Sequence, residues 1–121
     1  METRFATLLK RLRIQKGLTL REFCLTGGFD PGNYSRLERG HFPPPKNETL
    51  QKYARALGLE EGSSEWMELF DLAATERGEI PADIMTDEEV VHKLPVLFRT
   101  LRANPLTPEQ LDKLVEKVRR S

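Results

Sequence analysis

Apolar residues recur along this chain at three- and four-residue intervals, the spacing that lines one face of an α-helix. Phe5, Leu8, Leu9 and Leu12 form the first stripe, with Lys10, Arg11, Arg13 and Lys16 on the other faces. They predict a helix over residues 3–16 that Gly17 closes. Leu20 and Phe23 give a short helix over 20–26, and Tyr34 and Leu37, three apart, another over 31–39. Leu50, Tyr53, Ala54 and Leu57 predict a fourth, and Trp66, Leu69, Phe70 and Ala73 a fifth that reaches about Arg77. Further along, Val90, Leu94, Leu97, Phe98 and Leu101 share one face, as do Leu111, Leu114, Val115 and Val118. The expected fold is all-α.

Capping residues and breakers sharpen the boundaries. Thr19 with Glu22 makes a capping box, and Gly27 and Gly28 end that short helix. Asp30 caps the next, Pro31 suits its first position, and Gly40 stops it. His41-Phe42-Pro43-Pro44-Pro45-Lys46 is a stiff extended link. Asn47 is expected to cap the fourth helix, and Ser63 or Ser64 the fifth. Gly78, Ile80 and Pro81 break the pattern. Thr86 with Glu89 reads as another capping box. Pro95 predicts one short helix ending near Lys93 and a second beginning at Pro95. Asn104-Pro105 turns the chain, and Thr107, Pro108 and Gln110 start the last helix. The expected organisation is a domain over 1–77, a linker over 78–86 and a C-terminal helical hairpin over 87–121.

A cap, a short helix, a glycine corner, a second cap and a second helix follow the plan of a helix-turn-helix. Three runs carry a closer likeness: Lys16-Gly17-Leu18-Thr19, Tyr34-Ser35-Arg36 and Leu37-Glu38-Arg39-Gly40. Over about residues 4–58 the chain resembles the phage-repressor, or XRE-type, helix-turn-helix regulators. That resemblance implies a five-helix DNA-binding domain, usually dimeric on DNA, whose third helix enters the major groove. It also exposes a departure. Many members carry glutamine directly after the threonine cap, where it bonds a phosphate and a reading residue; here that position is Leu20. Arg21 follows and is a candidate phosphate contact. Cys24, where the family usually has a small core residue, is expected to be a buried structural thiol.

The N-terminal residues of a reading helix face base edges. Asn33 offers a bidentate contact to adenine and Arg36 one to guanine or a phosphate, while Gly32 has no side chain to read with. The expected DNA-binding residues are Arg21, Asn33, Ser35 and Arg36, with Lys46 on the backbone. For Arg39 two expectations stand side by side, an ion pair with Glu38 inside the domain or a contact to DNA.

Charge supports the same half. The chain is neutral, with 19 basic and 19 acidic residues, yet residues 1–58 hold 11 Lys/Arg against 5 Asp/Glu. The remaining 8 and 14 leave residues 59–121 at −6. A basic half that coincides with the motif is the electrostatic footprint of phosphate binding. No apolar run approaches the roughly 20 residues of a membrane helix, and no secretory h-region is present, so a cytoplasmic protein is expected. One cysteine and two histidines give no disulfide, no metal site and little for acid–base or nucleophilic chemistry. Gly-rich phosphate loops, His-Glu-x-x-His and Gly-x-Ser-x-Gly are all missing. Neither catalysis nor a cofactor is expected.

The leading expectation is a transcriptional regulator that represses its own operon as a homodimer on a double-stranded, palindromic operator. Leu97, Phe98, Leu101, Leu111, Leu114, Val115 and Val118 are the expected dimerisation residues, since two short helices carry more apolar surface than they bury on themselves. Two alternatives remain. One is an antitoxin that neutralises a basic toxin protein through the acidic half. The other is a stress repressor inactivated by proteolysis in the linker.

Overall fold

Thr3 opens the first helix by accepting a hydrogen bond from the Ala6 N–H at 3.1 Å. In the computed structural model the described residues are 3–120, so Met1, Glu2 and Ser121, at the edges of the expected domains, lie outside them. Seven α-helices follow in order: α1 (Arg4–Gln15), α2 (Leu20–Gly27), α3 (Pro31–Glu38), α4 (Asn47–Ala56), α5 (Ser64–Glu76), α6 (Glu88–Ala103) and α7 (Pro108–Arg119). A single 3₁₀ turn, Ile84–Thr86, precedes α6. The fold is all-α, a helix-turn-helix domain followed by C-terminal helices.

The chain divides into two compact units after Pro81. In the first, α1 packs on α3 and α5, α2 packs on α3 and α4, and α4 also meets α5. The stripes seen in the sequence are the sides that meet. Phe5, Leu8, Leu9, Leu12, Phe23, Leu37, Leu50, Leu57, Trp66 and Leu69 are all buried in one continuous core. Four rings from three helices and a loop, Phe23, Phe29, Tyr34 and Tyr53, stack through its centre with centroids 4.6–6.4 Å apart. Such aromatic pairs add stabilisation beyond the area they bury. Trp66 lies against Phe70 at 5.0 Å and packs into the core.

The second unit, 82–120, has two capped helices and no buried residue. Three expectations are corrected around its helices and at α4. Helix α6 runs unbroken through Pro95, which is exposed. Its missing N–H leaves the Val91 carbonyl to water, so the helix continues with one backbone bond unmade. The cap of α6 is Asp87, accepting from Glu89 and Val90 N–H, not Thr86, whose hydroxyl instead bonds Asp83. Asn47 does not cap α4: it is the helix's first residue, at φ +43°, and Lys46 before it makes no side-chain cap. The three prolines deliver the chain at an angle that asparagine tolerates in the left-handed region. Among the described residues no helix is long and apolar enough to cross a membrane.

Candidate nucleic-acid interface

The corner between α2 and α3 rests on two glycines with different reasons. Gly28 takes φ +74°, the left-handed conformation that closes a helix and that a β-carbon disfavours. Gly27 is needed for space: a β-carbon there would stand 2.2 Å from Phe29 Cε2. The caps on either side are complete. Thr19 Oγ1 accepts from the Glu22 N–H, and Glu22 Oε1 from the Thr19 N–H, both at 3.1 Å. That hydrogen bonding holds the Glu22 carboxyl below the usual carboxylate range. Asp30 Oδ2 accepts from the Asn33 N–H at 2.9 Å and fixes the first turn of α3.

Helix α3 is thereby held with one side in the core and one in solvent. Tyr34, Leu37 and Glu38 are buried, Ser35 is half-buried, and Gly32, Asn33 and Arg36 are exposed. The buried side carries an ionic lock between α1 and α3. Arg13, expected on a solvated face, is buried, and its guanidinium grips Glu38 with both nitrogens, Nε–Oε2 at 2.7 Å and Nη2–Oε1 at 3.0 Å. Its third arm donates to the Leu18 carbonyl at 2.8 Å. One side chain therefore ties α1, the turn before α2 and the end of α3 together. The Glu38 hydrogen bonds push the Arg13 pKa up, so the guanidinium stays charged. A bidentate Arg–carboxylate pair with a further N–H donated to a backbone carbonyl is the geometry in which a buried ion pair is tolerated.

The expected pairing of Glu38 with Arg39 is thus corrected: Glu38 belongs to Arg13, and Arg39 Nε donates to the Ser35 carbonyl at 3.4 Å. A signal for this was present. Arg13 falls four residues after Leu9 and Glu38 four after Tyr34, so each charge stands on an apolar stripe. The Tyr34 hydroxyl is buried near Glu38 without meeting hydrogen-bond geometry. Burial and the carboxylate's charge push its pKa far up. Cys24 is buried too, its thiol pKa raised by burial and then by Glu38, so the thiol stays protonated and inert.

On the solvent side, Asn33 and Arg36 come together on the exposed face of α3, with Ser35 beside them and Arg21 exposed near the start of α2. Sequence reasoning missed Phe42. Its half-open ring lies 5.8 Å from the Arg36 guanidinium carbon, a cation–π platform under that side chain. Lys46 stands apart from this group. Its ammonium sits 2.7 Å from Glu79 Oε1, while Arg77 reaches the same carboxylate at 3.3 Å and donates to the Pro45 carbonyl at 2.7 Å. Lys46 first, then Arg77, hold the Glu79 carboxyl below the usual carboxylate range. Leu20 is half-buried against the core, so the position after the threonine cap serves packing here.

Residues 9–62 match the family model described as Helix-turn-helix. Over these residues the chain is similar to the helix-turn-helix regulators of the XRE type. The matched segment is somewhat under half of the 121 residues and runs from within α1 to the turn before α5. This family is one of DNA-binding transcriptional regulators, and the match supports binding to double-stranded DNA. No curated protein and no solved structure matches the chain. Among the described residues no group of His, Cys, Asp or Glu stands close enough to hold a metal ion.

Proposed function

We propose that this chain is a transcriptional repressor that binds a twofold operator as a homodimer, with α3 in the major groove. The observation that carries the reading is the solvent face of α3, where Asn33 and Arg36 stand exposed on a helix whose opposite face is locked by Arg13 and Glu38. In this reading Asn33 and Arg36 contact base edges, Ser35 and Arg21 contact the adjoining backbone, and Lys46 joins them by leaving Glu79 for a phosphate. Gly32 and Leu20 make the reading surface of one copy small. A second copy doubles it, and twofold symmetry then sets the spacing of the half-sites.

The experiment is titration of the protein against DNA from its own promoter and against random duplex at physiological salt. Tighter binding to the promoter is expected, with affinity falling linearly in logarithmic salt concentration. Equal affinity for both duplexes overturns the reading.

The antitoxin alternative changes its location once the two units are separated. Residues 82–121 hold 7 basic and 7 acidic residues, so the charge of −6 lies in residues 59–81, in α5 and its flanking turns. A basic partner would therefore sit on α5. Purification from the native host without a stoichiometric partner counts against it.

A further inference from the structure

We infer that the turn closing α5 is a latch that DNA opens: a phosphate taken up by Lys46 displaces Glu79, and the chain leaving the DNA-binding unit loosens in response. The inference rests on the proposed backbone contact of Lys46 and adds what that contact does to the chain downstream. Helix α5 ends at Glu76, and Gly78 follows at φ +73°, the left-handed conformation that closes a helix. The Gly78 N–H donates to the Thr75 carbonyl at 3.0 Å and the Glu79 N–H to the Ala74 carbonyl at 2.9 Å. This turn carries the Glu79 carboxylate to the proline link. One oxygen meets the Lys46 ammonium at 2.7 Å and the other the Arg77 Nε at 3.3 Å. Arg77 is the fixed member, since its side chain is mostly buried and its Nη1 donates to the Pro45 carbonyl at 2.7 Å. Glu79 stands two residues before Pro81, where the first unit ends, and every residue from Ala82 to Val90 is exposed.

The Lys46 contact is the one that gives way. Its two side chains are 60% and 40% exposed, and an ion pair this open to water contributes little and is screened by salt. A duplex phosphate offers Lys46 the same negative charge, together with the release of counterions from the DNA. The Arg77 contact stays, because that side chain is only 14% exposed and is anchored to Pro45. Loss of the shorter contact leaves Glu79 on one cation instead of two. The exchange works in both directions. Carboxylate and phosphate compete for one ammonium, so whatever holds the exit segment latched weakens DNA binding by the same factor by which DNA loosens the segment. The exit from the first unit thus reports DNA occupancy to the chain beyond Pro81.

Amide hydrogen exchange of the full-length chain tests this, with and without a random-sequence duplex at low salt, because a phosphate contact needs no operator. In the wild type, duplex is expected to slow exchange in α3 and to speed it about two- to threefold over residues 79–83. Lys46→Gln and Glu79→Gln should both show the faster rate over 79–83 without DNA, and duplex should add nothing to it. Reciprocally, Glu79→Gln should bind the random duplex about two- to threefold more tightly than the wild type, since Lys46 then has no carboxylate to leave. Unchanged or slowed exchange over 79–83, in a wild-type complex whose α3 is protected, overturns the inference. So does a Glu79→Gln chain that binds duplex no more tightly than the wild type, or a Lys46→Gln chain that exchanges at the wild-type rate. Promoter preference is read separately. A latch that duplex opens, in a protein that binds promoter and random DNA equally, sinks the proposed function and leaves this inference standing. Promoter preference with unchanged exchange over 79–83 does the reverse.

Discussion

The two units of this chain use the same local devices to opposite ends. Both open their helices with side-chain caps, Thr3, Thr19, Asp30 and Ser63 in the first, Asp87 and Thr107 in the second. Both place apolar residues at helical spacing. In the first unit those stripes close on one another around four stacked rings and a buried ion pair. In the second they stay open to solvent. Caps and hydrogen bonds decide where a helix begins and ends, whereas burial supplies most of the stability that holds helices together. A substitution should therefore have a different meaning on each side of Pro81.

The largest expected effect breaks the first unit at its lock. Arg13→Ala or Glu38→Ala leaves the other charge buried with no partner, and the first unit should lose about 3–5 kcal/mol of stability. Chemical denaturation followed at Trp66 measures it. A loss below about 1 kcal/mol would mean the pair is solvated in solution. Next, Leu9→Ala or Leu69→Ala should cost about 2–5 kcal/mol in the same measurement. Leu97→Ala or Leu114→Ala should leave that transition in place and act instead on self-association, read by sedimentation. Equal losses from both sets would erase the contrast between the units.

Smaller effects sharpen the contrast within the DNA-binding unit. Arg36→Ala should cost about 1–3 kcal/mol of discrimination at one base pair of the operator. Phe42→Ala should cost about 0.5–1 kcal/mol and act at that same base pair, since its ring supports the same guanidinium. Loss spread evenly over all sequences would assign both side chains to the backbone. The least effect is expected from Glu79→Gln. With Lys46 released, the salt dependence of DNA binding should steepen by about one phosphate contact. The pH sign agrees: the Glu79 carboxyl is held below its ordinary range, so its pairing with Lys46 is in place above that range and is lost as pH falls through the lowered value.

Most of the fold was legible because caps, glycines and apolar spacing act over three or four residues, the range over which a sequence speaks for itself. Thr19–Glu22, Asp30 and Thr107 stand where they were expected. Misreadings arose where a longer range decided. Arg13 and Glu38 are 25 residues apart, and only the packing of α1 on α3 turns two charges on apolar stripes into a pair. Asn47 has a capping residue's chemistry, but it stands inside the helix as its first residue, at φ +43°. Pro95 was read as a break because proline removes a bond, yet the apolar stripe continues on both sides and the helix spans it. In the candidate interface, the exposure of Asn33 and Arg36 follows from helix position. The contacts of Phe42 and Glu79 do not, because each reaches its basic partner from a different segment.

The placement of charge in the first unit has a kinetic consequence. Residues 59–81 hold 7 acidic residues and one basic, whereas residues 1–58 hold an excess of six positive charges. Helices α3 and α5 both rest on α1, the first with the proposed reading surface and the second with most of that negative charge. A polyanion approaching this domain meets attraction from residues 1–58 and repulsion from α5 and its flanking turns. In the proposed function, encounters in which α5 leads are thereby disfavoured before any base is contacted, which raises the fraction of collisions that can proceed to binding. Neutralising α5 at Glu65 and Glu68 should therefore lower the selectivity of approach while leaving the final contacts in place.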